Sequence, residues 1–166
     1  LRFYGFNIDK EYMATNYLPM KDYLEPGCYI NYFYGSPWSE HGSGCFSPAI
    51  ITAANNFLHD NNSNLTAQSL SYSSVNTLFN ELTKGHPVIV WTCFNYDAEV
   101  SYIDIDIGNG QTFSWPTNEH CTVLTGFDLT TNTVTLADPT YGIIERSIEE
   151  FSYYYKMYFY QAVVIK

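Results

Sequence analysis

Residues 118 to 142 read NEHCTVLTGFDLTTNTVTLADPTYG, two apolar, β-branched runs joined by the polar turn DLTTN. Runs of Val, Thr and Leu on both sides of such a turn predict a β-hairpin. A hairpin returns the end of its second strand to the beginning of its first strand. We therefore expect Asp138, at the end of the second strand, to lie near His120, at the start of the first.

Side chains alternate between the two faces of a strand, so one face of the first run should carry His120, Leu124 and Gly126. A carboxylate that accepts a hydrogen bond from one imidazole nitrogen orients the ring and leaves the other nitrogen free to take a proton from a nucleophile. His120 and Asp138 are therefore candidates for a catalytic pair. The alternative is that His120 only begins a strand and Asp138 only turns the chain before Pro139.

The rest of the chain predicts helices first and strands afterwards. Apolar spacing, capping residues and a terminal glycine predict helices in IDKEYMATNYL, in SPAIITAANNFL with Ser47 as its cap, in SSVNTLFNELTKG, and in SIEEFSYYYK with Ser147 as its cap. Further strands are predicted in HPVIVWTCF and FYQAVVIK. This order is typical of an α+β domain with an antiparallel sheet, and we expect residues 1–166 to form a single domain.

Composition excludes several classes of partner. The chain has 16 Tyr, 11 Phe and 3 Trp but only 7 Lys and Arg, and its formal charge is −10. Nucleic acid and anionic membrane surfaces attract clustered cations, so neither is an expected partner, and no apolar run is long enough for insertion into a membrane. The aromatic, Gly- and Pro-rich loop over residues 19–45 is instead a candidate wall of a cleft.

The cysteines supply one candidate nucleophile. Cys45 precedes the predicted helix that starts at Ser47, and a helix N-terminus lowers the pKa of a nearby thiol. The alternative is a small buried residue that anchors a turn. Cys28 lies in the middle of a loop, whereas Cys93 and Cys121 lie in apolar strands and are expected in the core. Because no CxxC pair is present, free or structural thiols are favoured over disulfides.

The other histidines and the acidic turn carry weaker signals. His41, His59 and His86 are expected to be solvated loop residues. The stretch DIDIGNG at 104–110 has some likeness to a calcium loop, but Gly108 stands where an oxygen ligand is needed, so a tight turn between two short strands is favoured. We expect no metal ion and no cofactor.

In order along the chain, ELTKGHPVIVW, NEHCTVLTGFD, VTLADPTYG and QAVVI resemble bacterial papain-like cysteine peptidases of the bacteriocin-processing type, family thirty-nine-like. The resemblance covers nearly the whole chain. It implies a papain-like α+β fold, with N-terminal helices packed on a C-terminal antiparallel sheet. The implied activity is hydrolysis of peptide bonds in a peptide or protein substrate. It also implies that His120 is the catalytic histidine and that Asp138 is the acid that orients it.

The resemblance further implies where the nucleophile lies. In the family, a segment similar to LRFYGFNIDKEYMATNYLP follows the nucleophilic Cys of a GCE-like motif, so that motif and its helix are expected ahead of Leu1. Cys45 would then act only if the site had been rebuilt, and no glutamine matches the position of the family's oxyanion-stabilising residue. The resemblance to bacterial peptidases also favours a secreted or cell-surface location in a bacterium.

Two functions remain open on the sequence. The first is a cysteine peptidase with a Cys-His-Asp arrangement. The second is a catalytically inactive peptide-binding or scaffold domain derived from such a peptidase. For the first function, an N-terminal segment or a partner would complete the site.

Overall fold

The computed structural model describes residues 1–22, 30–39 and 42–166, which form two compact units. The first unit comprises Leu1–Ala67 with Asp106–Phe113, and the second comprises Gln68–Ile105 with Ser114–Lys166. After a 3-10 helix at Arg2–Tyr4, the helices are α1 (Lys10–Asn16), α2 (Ser47–Asp60), α3 (Val75–Thr83) and α4 (Ile148–Met157). The strands are β1 (Met20–Lys21), β2 (Phe33–Tyr34), β3 (Ala67–Ser69), β4 (Val88–Cys93), β5 (Tyr102–Gly108), β6 (Gln111–Pro116), β7 (Glu119–Asp128), β8 (Thr133–Asp138), β9 (Gly142–Ser147) and β10 (Ala162–Ile165).

The first unit is organised around α2, whose apolar residues recur at helical spacing. Phe57 on its buried face makes edge-to-face contacts with Phe6 at 5.2 Å and with Tyr17 at 5.5 Å between ring centroids. The prediction that Ser47 caps this helix is wrong. Phe46 occupies the cap position in an extended conformation, because the backbone is already helical at Ser47.

The described part of the predicted 19–45 loop contains a short parallel pair of strands. Met20 pairs with Phe33 and Lys21 with Tyr34, and Tyr34 is fully buried. Two positions discussed from the sequence, Cys28 and His41, lie outside the described residues.

The main sheet has the strand order β3-β10-β4-β7-β8-β9. The pairs β10–β4, β4–β7, β7–β8 and β8–β9 are antiparallel, which confirms the predicted α+β class. Helices α3 and α4 cover one face of this sheet through a buried apolar cluster. Its members are Leu78, Phe79, Val88, Val90, Leu124, Val134, Leu136, Phe151, Tyr155 and Ala162.

The predicted hairpin is β7 and β8, but its pairing is interrupted. Leu124 pairs with Leu136, whereas Gly126 pairs with Thr135, so Thr125 is an extra residue in β7. Such a bulge reverses the alternation of side chains beyond it. The predicted face is therefore correct from His120 to Leu124 and wrong for Gly126.

Local signals at the other helix ends agree with the structure. Ser74 and Ser147 accept hydrogen bonds from the backbone N–H of Thr77 and Glu150, as residues at a helix N-cap do. The acidic stretch 104–110 lies in β5 and the turn to β6, as predicted. Strand β9 was not predicted, because the sequence GIIERS lacks a clear alternation of apolar and polar residues. Within the described ranges, no helix combines the length and apolarity that crossing a bilayer requires.

Candidate active site

His120 and Asp138 meet at one end of the β7–β8 hairpin. Leu124 and Leu136 are directly paired, and His120 and Asp138 lie an even number of residues from them, so all four side chains share one face. The distance between His120 Nε2 and Asp138 Oδ2 is 2.8 Å. Their side chains are 13% and 3% exposed, respectively, so the hydrogen bond is largely shielded from water.

The second carboxylate oxygen of Asp138 is bound by the turn that follows β8. Asp138 Oδ1 accepts hydrogen bonds from the backbone N–H of Thr140 at 2.7 Å and of Tyr141 at 3.0 Å. Burial by itself would raise the pKa of Asp138, but these two N–H groups and His120 outweigh it and hold the pKa below its ordinary value. Asp138 is therefore ionised at neutral pH.

This arrangement determines the role of each imidazole nitrogen of His120. An ionised carboxylate can only accept, so the Nε2 atom that contacts Asp138 carries a proton. In the neutral ring, Nδ1 then presents a lone pair. Among the described residues no hydrogen-bond partner of Nδ1 is present. The ring is thus oriented at one nitrogen and able to accept a proton at the other.

Two exposed aromatic rings lie against this pair, and we call them the aromatic wall (Phe94 and Tyr141). Phe94 meets the His120 ring edge to face, with centroids 5.1 Å apart. The Tyr141 ring in turn contacts Phe94, with centroids 5.4 Å apart. Phe94 is 42% exposed and Tyr141 is 55% exposed. Neither residue was predicted from the sequence. Phe94 reaches His120 only through the pairing of β4 with β7.

The backbone on both sides of Phe94 is held in place. Phe94 N–H donates to the carbonyl of Asn118 at 2.8 Å. Asn95 N–H donates to Asn118 Oδ1, and Asn118 Nδ2 donates back to the carbonyl of Asn95. The buried Tyr158 hydroxyl donates to the carbonyls of Thr117 and Asn118 at 2.8 and 3.0 Å. The end of β4 and the start of β7 are therefore tied together beside His120.

Glu119, which was not predicted from the sequence either, precedes His120 and lies on the opposite face of β7. It pairs directly with Cys93 on β4. Burial raises the pKa of Glu119 to about 8, although a hydrogen bond with Trp91 opposes the rise. Glu119, which is half-buried, is therefore harder to ionise than an ordinary glutamate.

The thiols occupy different environments. Cys45 is in the first unit, is 7% exposed and directly precedes Phe46, the cap residue of α2. Cys93 is 1% exposed, and burial raises the pKa of its thiol to about 12, which makes it a poor nucleophile. Cys121 is half-buried.

Two further histidines can be compared with the sequence expectations. His59 is exposed, as expected. His86 lies in a loop, as expected, but is not fully solvated. Its side chain is 28% exposed, and its Nδ1 lies 2.9 Å from Oε2 of the buried Glu81, because the chain turns back onto the end of α3. Within the described ranges, no cluster of three or more His, Cys, Asp or Glu residues is suited to hold a metal ion.

Comparisons with known proteins bear on the family and the fold of this chain. The sequence model of the Peptidase C39-like family matches residues 1–163. A crystal structure described as that of a candidate C39-like peptidase from Bacillus anthracis superposes with a TM-score of 0.84 at 22% identity, over 99% of this chain and 82% of that chain. At this identity the similarity shows a shared α+β, papain-like fold. No curated protein matches the sequence. Residues 1–163 cover nearly all of the chain, which therefore belongs to the Peptidase C39-like family.

Proposed function

We propose that this domain hydrolyses peptide bonds by a Cys-His-Asp mechanism in which His120 transfers the proton and Asp138 orients the ring. The observation that carries the proposal is the 2.8 Å contact between His120 Nε2 and the ionised Asp138, which leaves Nδ1 available. Membership of a peptidase family supports the same reading.

The mechanism follows from the arrangement of protons. Nδ1 of His120 takes the proton of a cysteine thiol, and the thiolate adds to the carbonyl carbon of the scissile bond. The imidazolium then gives its proton to the departing amine, which leaves a thioester. A water molecule attacks the thioester and loses its proton to His120, and the carboxylic acid product and the thiol are released. Asp138 stabilises the imidazolium in both steps because it remains ionised.

Two cysteines are candidates for the nucleophile that gives its proton to His120. The resemblance assigns the nucleophile to a GCE-like motif ahead of Leu1, and Cys45 is the alternative among residues 1–166. Cys93 is not a candidate, because its pKa of about 12 leaves almost no thiolate at neutral pH.

Thiol labelling of the full-length protein tests the proposal. Iodoacetamide modification is followed by mass spectrometry across roughly pH 4 to 9, a range that covers activated and ordinary thiols. We expect one cysteine to react fast well below the pKa of a free thiol. The His120→Ala variant should lose this fast reaction, whereas the control His86→Ala should keep it.

Each outcome leads to a different conclusion. Fast labelling of a cysteine ahead of Leu1 identifies the family's nucleophile, and fast labelling of Cys45 identifies a rebuilt site. Labelling that is slow at every cysteine would contradict the proposal. The inactive peptide-binding or scaffold domain would then be the better description.

A further inference from the structure

We propose that the aromatic wall (Phe94 and Tyr141) is a specificity-determining subsite that binds a large apolar side chain of the peptide, next to the scissile bond. This inference rests on the proposed function, because it names the class of substrate that the His120 site accepts. It adds a binding role for two residues that do not take part in proton transfer.

The first argument is position. The Phe94 ring contacts the imidazole of His120 at 5.1 Å, so a peptide with its scissile carbonyl within reach of His120 places a neighbouring side chain near Phe94. Tyr141 extends the same surface, with its ring 5.4 Å from that of Phe94. Both rings are about half exposed and adjacent, whereas isolated exposed apolar residues are common and carry no information.

The second argument is preorganisation. Reciprocal hydrogen bonds between Asn95 and Asn118 fix the backbone on one side of Phe94. The N–H of Tyr141 is bound by Asp138 Oδ1, the same carboxylate that orients His120. A wall held in this way loses little conformational freedom when a ligand binds, so most of the apolar contact contributes to affinity.

The third argument concerns the chemistry of the ligand. Covering the two exposed rings removes apolar area from water, which lowers the free energy of binding. An aromatic ligand side chain lowers it further through edge-to-face or offset packing. Gly or Ala would cover little of either ring. The formal charge of −10 of the chain disfavours acidic side chains. The favoured occupant is a side chain of the size of Leu, Met or Phe.

Binding is measured on the His120→Ala variant of the full-length protein, so that cleavage does not obscure it. The probes are blocked tetrapeptides, Gly-Phe-Gly-Gly and Gly-Ala-Gly-Gly together with their positional isomers, titrated while amide and aromatic NMR signals are recorded. For at least one position, we expect the Phe peptide to bind about tenfold more tightly than its Ala counterpart and to shift the signals of Phe94 and Tyr141. In the background of His120→Ala, adding Phe94→Ala or Tyr141→Ala should reduce that preference to less than threefold.

The matched control is Leu129→Ala, added in the same background. Leu129 is also exposed, at 69%, but lies in the turn at the other end of the β7–β8 hairpin, so its removal should leave the preference unchanged. The inference is overturned if Phe and Ala peptides bind alike at every position, or if the preference survives loss of both rings. Because the readout is binding, a failure here is distinct from a failure of thiol activation or cleavage.

Discussion

The second unit contains two histidine–carboxylate pairs of nearly equal length and different surroundings. His120 Nε2 lies 2.8 Å from Asp138, and His86 Nδ1 lies 2.9 Å from Glu81. The other oxygen of Asp138 is bound by backbone N–H groups. The other oxygen of Glu81 is bound by Lys84 at 2.9 Å and approached by Lys166 at 3.5 Å.

This difference separates the proposed catalytic pair, His120 and Asp138, from a pair that connects parts of the fold. Around Glu81, the ammonium groups and His86 join the end of α3 to the start of β4 and to the C-terminus, so the carboxylate is neutralised by its own partners. Around Asp138 there is no lysine or arginine among its hydrogen-bond and ion-pair partners in the described ranges. The negative charge of Asp138 is therefore directed at His120. A short His–carboxylate distance alone does not identify a catalytic pair.

The largest expected difference between the two pairs is in the rate of hydrolysis after replacement of each histidine. His120→Ala should reduce peptide hydrolysis by about a thousandfold, because the proton acceptor and donor is lost. His86→Ala should change the rate by less than about twofold, since its pair serves the fold. Turnover is measured with a peptide library and mass spectrometry, and circular dichroism verifies that both variants fold. Equal losses of activity in the two variants would show that the pairs cannot be distinguished in this way.

Asp138→Asn should have the next largest effect. The amide oxygen can still accept from Thr140 and Tyr141, but its NH2 group then faces Nε2 of His120. The favoured tautomer carries its proton on Nδ1, where a lone pair is needed. We expect a loss of at least about a hundredfold in kcat with little change in binding. A normal rate in the Asp138→Asn variant, measured on the same peptides, would contradict the assigned role of the carboxylate.

Glu81→Gln should affect stability and leave catalysis unchanged. Hydrogen bonds from Lys84 and His86, with the charge of Lys166, lower the pKa of Glu81 from 4.5 to about 2 against the opposing effect of burial. Because partly exposed lysines are screened by solvent, we expect a loss of only about 2 kcal/mol in the free energy of unfolding at neutral pH.

The pH dependence of this effect has a definite sign. The unfolded chain protonates Glu81 near its ordinary pKa of 4.5, whereas the folded protein keeps it ionised down to about pH 2. The stabilisation is therefore complete above pH 4.5 and is lost as the pH falls toward 2. Urea unfolding of the native and Glu81→Gln proteins should differ at pH 7 and converge near pH 2. A difference that persists undiminished in acid would assign the effect to packing.

Lys84→Met should have the smallest effect. The Lys84 side chain is 58% exposed, and its ion pair with Glu81 joins residues three apart near the end of a helix. Exposed pairs of this kind contribute about 0.5 kcal/mol. Urea unfolding should show a loss of that size at low salt and a smaller loss at high salt. A loss as large as that of Glu81→Gln would mean that Lys84, rather than the whole set of partners, neutralises the carboxylate.

The sequence predicted features that depend on neighbouring residues and failed where distant segments meet. Ser147 caps α4 as predicted, because N-capping involves residues only three positions apart. The face of Gly126 was wrong, since the bulge at Thr125 depends on pairing with β8. His86 was expected in solvent because nothing in its own loop indicates that Glu81 turns toward it.

The candidate site divides in the same way. Its His–Asp pair was predictable because a single turn closes the chain between His120 and Asp138, and strand alternation then places both on one face. The contact between Phe94 and His120 was not predictable, because Phe94 reaches His120 only through the β4–β7 pairing, with β5 and β6 intervening in the chain. Sequence by itself determined the hairpin and its polar pair, since both follow from local turn and strand geometry. Tertiary structure alone decided the surface beside that pair, since contacts between distant strands depend on how the whole sheet is assembled.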